Sequence, residues 1–128
     1  VSRNIHQHRP KNLNLFTIRL PINALVSILH RVSGMVLFLM LPLLLLALNL
    51  SLESKMNYLN VLTWLDFWLV KVILIGFSWA FFHHFFAGLR HLAQDMHWMH
   101  GLDQARYSSR VLMALVVVSV LFFTYLIW

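Results

Sequence analysis

Phe82-His83-His84-Phe85-Phe86-Ala87-Gly88-Leu89-Arg90-His91 sets two adjacent histidines inside a long apolar run that closes on glycine, arginine and histidine. Apart from those histidines, residues 72–89 contain nothing that readily ionises. Imidazole is the ionisable side chain that stays neutral near physiological pH, so its place here points to a redox cofactor or a proton pathway.

Working outward, the composition names the solvent. Of 128 residues, 60% are apolar and 11% charged, against about 25% charged in an ordinary soluble domain. A membrane setting follows. The chain has no cysteine, which excludes disulfides, a thiolate-held iron–sulfur cluster and thiolate-ligated haem within it. The formal charge of +6 does not indicate nucleic acid, because most basic residues flank apolar runs as topology signals do.

The histidine stretch ends a helix expected over about 61–91, long enough to project beyond the lipid or to tilt. Tyr58, Trp64 and Trp68 suit an interfacial aromatic belt, and Lys71 can snorkel toward headgroups. Asp66 and Lys71 are five apart, a weak same-face spacing, and carry no assigned function. Before this helix, residues 51–60 read as a short polar connection. The first helix is expected over about 22–50, with Pro42 giving a modest kink. Its uncharged section, Val32 to Leu50, has 19 residues, roughly 29 Å of helix against a hydrocarbon core of about 30 Å. A third helix is expected over about 105–128, after a connection holding Asp95, His97, Trp98, His100 and Asp103. The pattern predicts an all-α fold of three transmembrane helices, 1–128 forming one membrane-anchor domain.

The first eighteen residues are polar and basic and lack the pattern of a secretory signal. Leu13, Leu15 and Ile18 suit the bilayer surface or a partner. Arg19-Leu20-Pro21-Ile22 reads as a turn into the first helix, with Pro21 at a first helical position. Arg3, Arg9, Lys11, Arg19, Arg31, Arg90, Arg106 and Arg110 fall on the side shared by the N-terminus and the second connection. The positive-inside tendency places the N-terminus in the cytoplasm and the C-terminus across the membrane.

Polar residues gather near the inner ends of helices one and two. Ser27 and Arg31 are i,i+4 neighbours, and His30 and Gly34 share the adjoining face. On helix two, His84, Gly88, His91 and Asp95 form one line, while His83, Ala87 and Arg90 form the next. Antiparallel packing lets His30 and His84 reach similar depths, about 10–12 Å along their helices. This suggests a b-type haem between helices, its iron held by imidazole and its propionates by arginine or histidine. His84 is favoured over His83 as ligand because Gly88 lies one turn along the same stripe, where a side chain would obstruct the porphyrin. His83 reads as packing or a propionate contact. His30 is open as the opposite axial ligand, a propionate partner or a quinone-site neighbour. A quinone head needs a donor and a positive charge for its carbonyls, which Ser27 and Arg31 can supply. The competing reading is that Arg31 snorkels and Ser27 bonds a local helix carbonyl.

Ser27-Ile28-Leu29-His30-Arg31-Val32-Ser33-Gly34, with His84-Phe85-Phe86-Ala87-Gly88-Leu89-Arg90-His91 and Asp95, resembles the larger cytochrome b membrane-anchor subunit of succinate dehydrogenase, respiratory complex II. Arg9-Pro10-Lys11-Asn12-Leu13-Asn14-Leu15 and Arg19-Leu20-Pro21-Ile22 resemble its bacterial form, so the likeness spans essentially the whole chain. The resemblance implies a complex with a flavoprotein subunit, an iron–sulfur subunit and a second small membrane-anchor subunit in a bacterial inner membrane, in contact with phospholipid. FAD and the iron–sulfur clusters would belong to those partners, and electrons would pass from the iron–sulfur protein to ubiquinone. It implies haem b shared with the second anchor, His84 giving one axial ligand and the partner the other. It also implies ubiquinone contacts at Ser27 and Arg31, with Ile28 on the apolar approach, and propionate contacts at His30 and Arg31. It leaves His91 and Asp95 unassigned. The alternatives are the anchor of a related quinol:fumarate reductase and an independent membrane b-type cytochrome. A channel is disfavoured because the outer halves of helices one and three are nearly all apolar.

Overall fold

The computed structural model describes residues 18–98 and 101–128. The expected surface contacts of Leu13 and Leu15, the basic residues Arg3, Arg9 and Lys11, and His100 lie outside the described residues. The elements are α1 (Ile22–Glu53), α2 (Lys55–Asp66), α3 (Trp68–Asp95) and α4 (Leu102–Ile127). Among the described residues there is no strand, and α1, α3 and α4 are long and apolar enough to cross a membrane. Their 32, 28 and 26 residues correspond to roughly 48, 42 and 39 Å, so each overhangs or tilts in a core of about 30 Å.

Pro21 is itself the N-cap of α1, one position before the helix begins. It is extended at φ −64°, ψ 151°, and its carbonyl accepts from Ala24 N and Leu25 N at 2.9 and 3.2 Å. Pro42 lies inside the helix without ending it. The helix runs three residues beyond the expected Leu50. The side chains there form their own bonds: Ser51 Oγ donates to the Leu48 carbonyl at 2.7 Å, and Glu53 accepts from Asn49 and Asn57 at 3.1 and 3.0 Å.

Two expectations for the middle of the chain are corrected. The connection 51–60 is mostly helical, because Ser54 caps α2 by accepting from Asn57 N at 3.1 Å. The single helix 61–91 is divided at Phe67, whose φ −67° and ψ 129° are extended. An unbroken helix from Lys55 to Asp95 would be roughly 60 Å long, about twice the hydrocarbon thickness. The break removes the polar segment from that span. It also explains Asp66 and Lys71, which form an ion pair at 2.7 Å across a corner rather than along one face. The Lys71 ammonium also lies 6.0 Å from the Trp128 ring.

The core forms where α3 is packed between α1 and α4. Val26, Ala87, Leu112 and Val116 are buried together, with Trp79, Phe86, Met113 and Val120 against them. Many buried positions are small: Ser33, Ser78, Ala80, Ala87 and Ser109. Small side chains let backbones approach closely, which is how helices gain contact where lipid supplies no hydrophobic driving force. Long rows of Leu, Phe and Trp remain exposed, among them Phe38, Leu43, Val118 and Phe122. Such surface suits lipid or partner helices rather than water.

The α3 helix persists to Asp95, so the His84–Gly88–His91–Asp95 line is helical throughout. It ends in a paired cap: His97 N bonds the Gln94 carbonyl at 3.0 Å and Trp98 N the Ala93 carbonyl at 3.1 Å. His97 takes the left-handed φ of 62° that this cap requires. The α4 helix begins three residues before the expected start, with Asp103 in its first turn, where a carboxylate opposes the helix dipole, and Arg106 3.8 Å from it.

Candidate functional site

His30 and Gly34 on α1 repeat the four-residue spacing of His84 and Gly88 on α3. Because the two helices run antiparallel, each histidine faces the other helix's glycine. The two imidazoles stack, with centroids 4.2 Å apart and planes 10° from parallel. A Cβ on Gly34 would lie 2.8 Å from His84 Cε1, whereas one on Gly88 would lie 3.5 Å from His30 Nε2. Between the two helices the tight clearance is therefore at Gly34, while Gly88 meets His30 at an ordinary contact distance. His91 joins the group, 5.1 Å from His30 and tilted by 59°.

The backbone of α1 sets the chemistry of His84. Its Nδ1 lies 3.1 Å from the His30 carbonyl, and a carbonyl only accepts, so Nδ1 carries the proton. Ser33, fully buried, donates to the same carbonyl at 2.9 Å and stands 3.4 Å from Nδ1. In the neutral ring the other nitrogen, Nε2, then holds a lone pair. This is the tautomer a metal ligand needs, with a carbonyl fixing the ring from behind. His84 is half-buried, at the edge of the α1–α3 seam. Among the described residues no three metal-ligating side chains converge, so a bare ion has no cage here. A haem iron already held by its porphyrin needs only axial nitrogen.

One residue earlier, His83 turns the other way. It is 0% exposed, stacks on Trp79 at 5.4 Å, and extends Nε2 to the Val26 carbonyl at 3.4 Å. Its Nδ1 has no hydrogen-bond partner among the described residues. His83 packs α3 against α1, within the core.

Ser27, Arg31 and Ile28 lie beside the packed Val26–Ser33 stripe rather than on it. Ser27 is half-buried, Arg31 exposed, and Ile28 43% exposed. Ser33, Ser51, Ser78, Ser108 and Ser109 each return a hydroxyl to a helix carbonyl three or four residues back. Ser27 makes no such bond among the described residues, and Arg31 has no ion-pair partner there. Neither polar group is used in those bonds among the described residues.

Two polar bridges at this end escaped sequence reasoning. Arg90, 6% exposed, joins α3 to α4 through Ser108 Oγ, Gln94 Oε1 and the Ala105 carbonyl at 3.0, 3.1 and 3.2 Å. Ser109 Oγ donates to Asn23 Oδ1 at 2.9 Å, tying α4 to α1. The signal for Arg90 was its place on the His83–Ala87 line. No sequence signal pairs Asn23 with Ser109.

Three apolar spans keyed together at one end by imidazole and serine define a multi-pass membrane anchor. A family model described as "Succinate dehydrogenase/Fumarate reductase transmembrane subunit" matches residues 6–124. The chain is 33% identical over 122 residues to the succinate dehydrogenase cytochrome b556 subunit of Coxiella burnetii, covering 94% of this chain and 97% of that protein. The subunits of the same name from Paracoccus denitrificans and Rickettsia bellii are 34% and 30% identical over 107 and 128 residues. Those matches cover 84% and 100% of this chain, and 82% and 97% of the two relatives. The chain belongs to this family: it is a membrane-anchor subunit of the succinate dehydrogenase cytochrome b556 type.

Proposed function

We propose that this chain anchors a bacterial succinate dehydrogenase in the inner membrane, helps hold haem b, and builds part of the site where ubiquinone is reduced. The observation that carries the reading is the imidazole seam: His84 has Nδ1 bound to the His30 carbonyl and Nε2 left as a donor to iron. His84 would hold the haem iron on behalf of this chain. His30 lies stacked on His84, side by side with it, which supports a second iron ligand supplied by a partner. His30 and Arg31 would then hold the propionates. Haem b, when bound, supplies a one-electron store beside the quinone.

The quinone site falls to Ser27 and Arg31, with Ile28 on the apolar approach. The Ser27 hydroxyl donates to a quinone carbonyl, and the Arg31 guanidinium stabilises negative charge as it develops on oxygen. Electrons arrive from the iron–sulfur subunit, itself fed by the flavoprotein that holds FAD. A second small anchor completes the bundle, and phospholipid covers the remaining apolar surface. The N-terminus is cytoplasmic and the C-terminus periplasmic, as the basic residues direct. The family includes fumarate reductase anchors, but the curated relatives cited above carry the succinate dehydrogenase name, which favours ubiquinone reduction.

The test is an Arg31→Ala substitution in the intact complex, with succinate oxidation by a soluble acceptor as the control. Quinone reduction is expected to fall by about two orders of magnitude, in line with loss of one group stabilising developing charge. Soluble-acceptor activity should persist. Unchanged quinone reduction and inhibitor sensitivity would remove Arg31 from the site.

A further inference from the structure

On the side of α3 away from the histidine seam, α3 and α4 border an open groove of about 500 Å³. Its walls are apolar: Phe86 and Leu89 from α3, Val111 and Leu115 from α4. Polar groups are confined to one end, where Arg90, Gln104, Tyr107 and Ser108 stand. From Gln104 to Leu115 the groove follows α4 for roughly 16 Å, the length of much of an acyl chain.

Arg90 is the decisive residue. Its guanidinium has five N–H groups, and the three bonds it makes all go to neutral oxygens of Ser108, Gln94 and Ala105. Among the described residues no carboxylate lies within ion-pair range of it: Asp103 is the partner of Arg106, and Asp66 that of Lys71. A nearly buried cation thus keeps two N–H groups and its whole charge uncompensated, a costly state inside a membrane protein. A planar fork of this kind matches phosphate oxygens. The surroundings of a membrane helix pair offer one abundant molecule combining that anion with a long apolar tail.

We propose that this groove binds an anionic phospholipid, with its phosphate at Arg90 and one acyl chain between α3 and α4. The site lies on the α4 side of α3, and it does not depend on the haem or quinone assignments. Tyr107 and Gln104 at the rim supply hydroxyl and amide donors for the headgroup.

The experiment uses the assembled complex in mild detergent, with phosphatidylglycerol and phosphatidylcholine as probes. Leu115→Trp fills the groove while leaving the Arg90 bonds intact, and Arg90→Gln removes the charge. After repeated detergent exchange, the unaltered complex should retain phosphatidylglycerol over phosphatidylcholine. Leu115→Trp should lower that retention about tenfold or more, as expected when several chain methylenes are shut out. Arg90→Gln should abolish the preference between the two lipids. Equal retention of both lipids by the unaltered complex, or equal phosphatidylglycerol in Leu115→Trp, overturns the proposal. The chain lacks cysteine, so Val111→Cys carrying a photoreactive label gives an independent reading in native membranes. A lipid adduct supports the site; a crosslink to a second anchor or to another copy of this chain shows a protein occupant and overturns it.

Discussion

His83 and His84 are neighbours on one helix, yet they serve two different regions. The line His83–Ala87–Arg90 is turned into the protein, and its polar groups bond to α1 and α4. The line His84–Gly88–His91 runs along the edge of the seam with α1, where His84 keeps one nitrogen free. A rotation of about 100° per residue separates them. Position around the helix, rather than residue type, decides which histidine is packed in the core and which is proposed for the haem.

Substituting the two histidines separately tests that division most severely. His84→Ala in the assembled complex should remove the b-type absorption spectrum, or shift it wholly to a different ligation state. His83→Ala should keep that spectrum while lowering thermal stability by about 2 kcal/mol, the scale of a core truncation. Loss of haem ligation in His83→Ala with His84→Ala intact would reverse the assignment.

The glycines sharpen the same comparison at smaller cost. Gly34→Ala places a methyl carbon 2.8 Å from His84 Cε1, so the ring must turn away from the His30 carbonyl. A reduced haem content or an altered haem spectrum is expected. Gly88→Ala meets His30 at an ordinary 3.5 Å and should leave the spectrum unchanged. Equal effects at both sites would show that the close approach at Gly34 is not what sets the ring.

Two smaller effects lie away from the seam. Asp66→Ala should cost no more than about 1 kcal/mol in thermal unfolding, because the carboxylate of the Lys71 pair is largely exposed. His97→Val should destabilise by about 1 kcal/mol, since a β-branched residue resists φ 62°. His97→Gly should be free of that backbone strain, as glycine accepts φ 62°.

The three spans were legible because lipid demands long apolar runs, and residues 32–50, 72–89 and 111–128 supply them. The shared depth of His30 and His84 was legible from antiparallel counting. The break at Phe67 was not, since neither glycine nor proline marks it; it accords with the length of helix that a bilayer accommodates. The reciprocal histidine–glycine crossing was present as two equal four-residue spacings. It emerges only when one helix is reversed against the other, and the tight member, Gly34, depends on the ring orientation. Arg90 could be assigned to a stripe, but which neighbour that stripe meets is fixed only by the packing of α4.

Pro42 gives α1 a mechanical character. Both buried residues of this helix, Val26 and Ser33, precede it, and the proline removes the backbone bond that the Phe38 carbonyl would otherwise accept. The helix is clamped at its histidine end and has its weakest rung near the middle. Its far half is therefore the section expected to swing about Pro42, a bend that would leave the stacked rings in place.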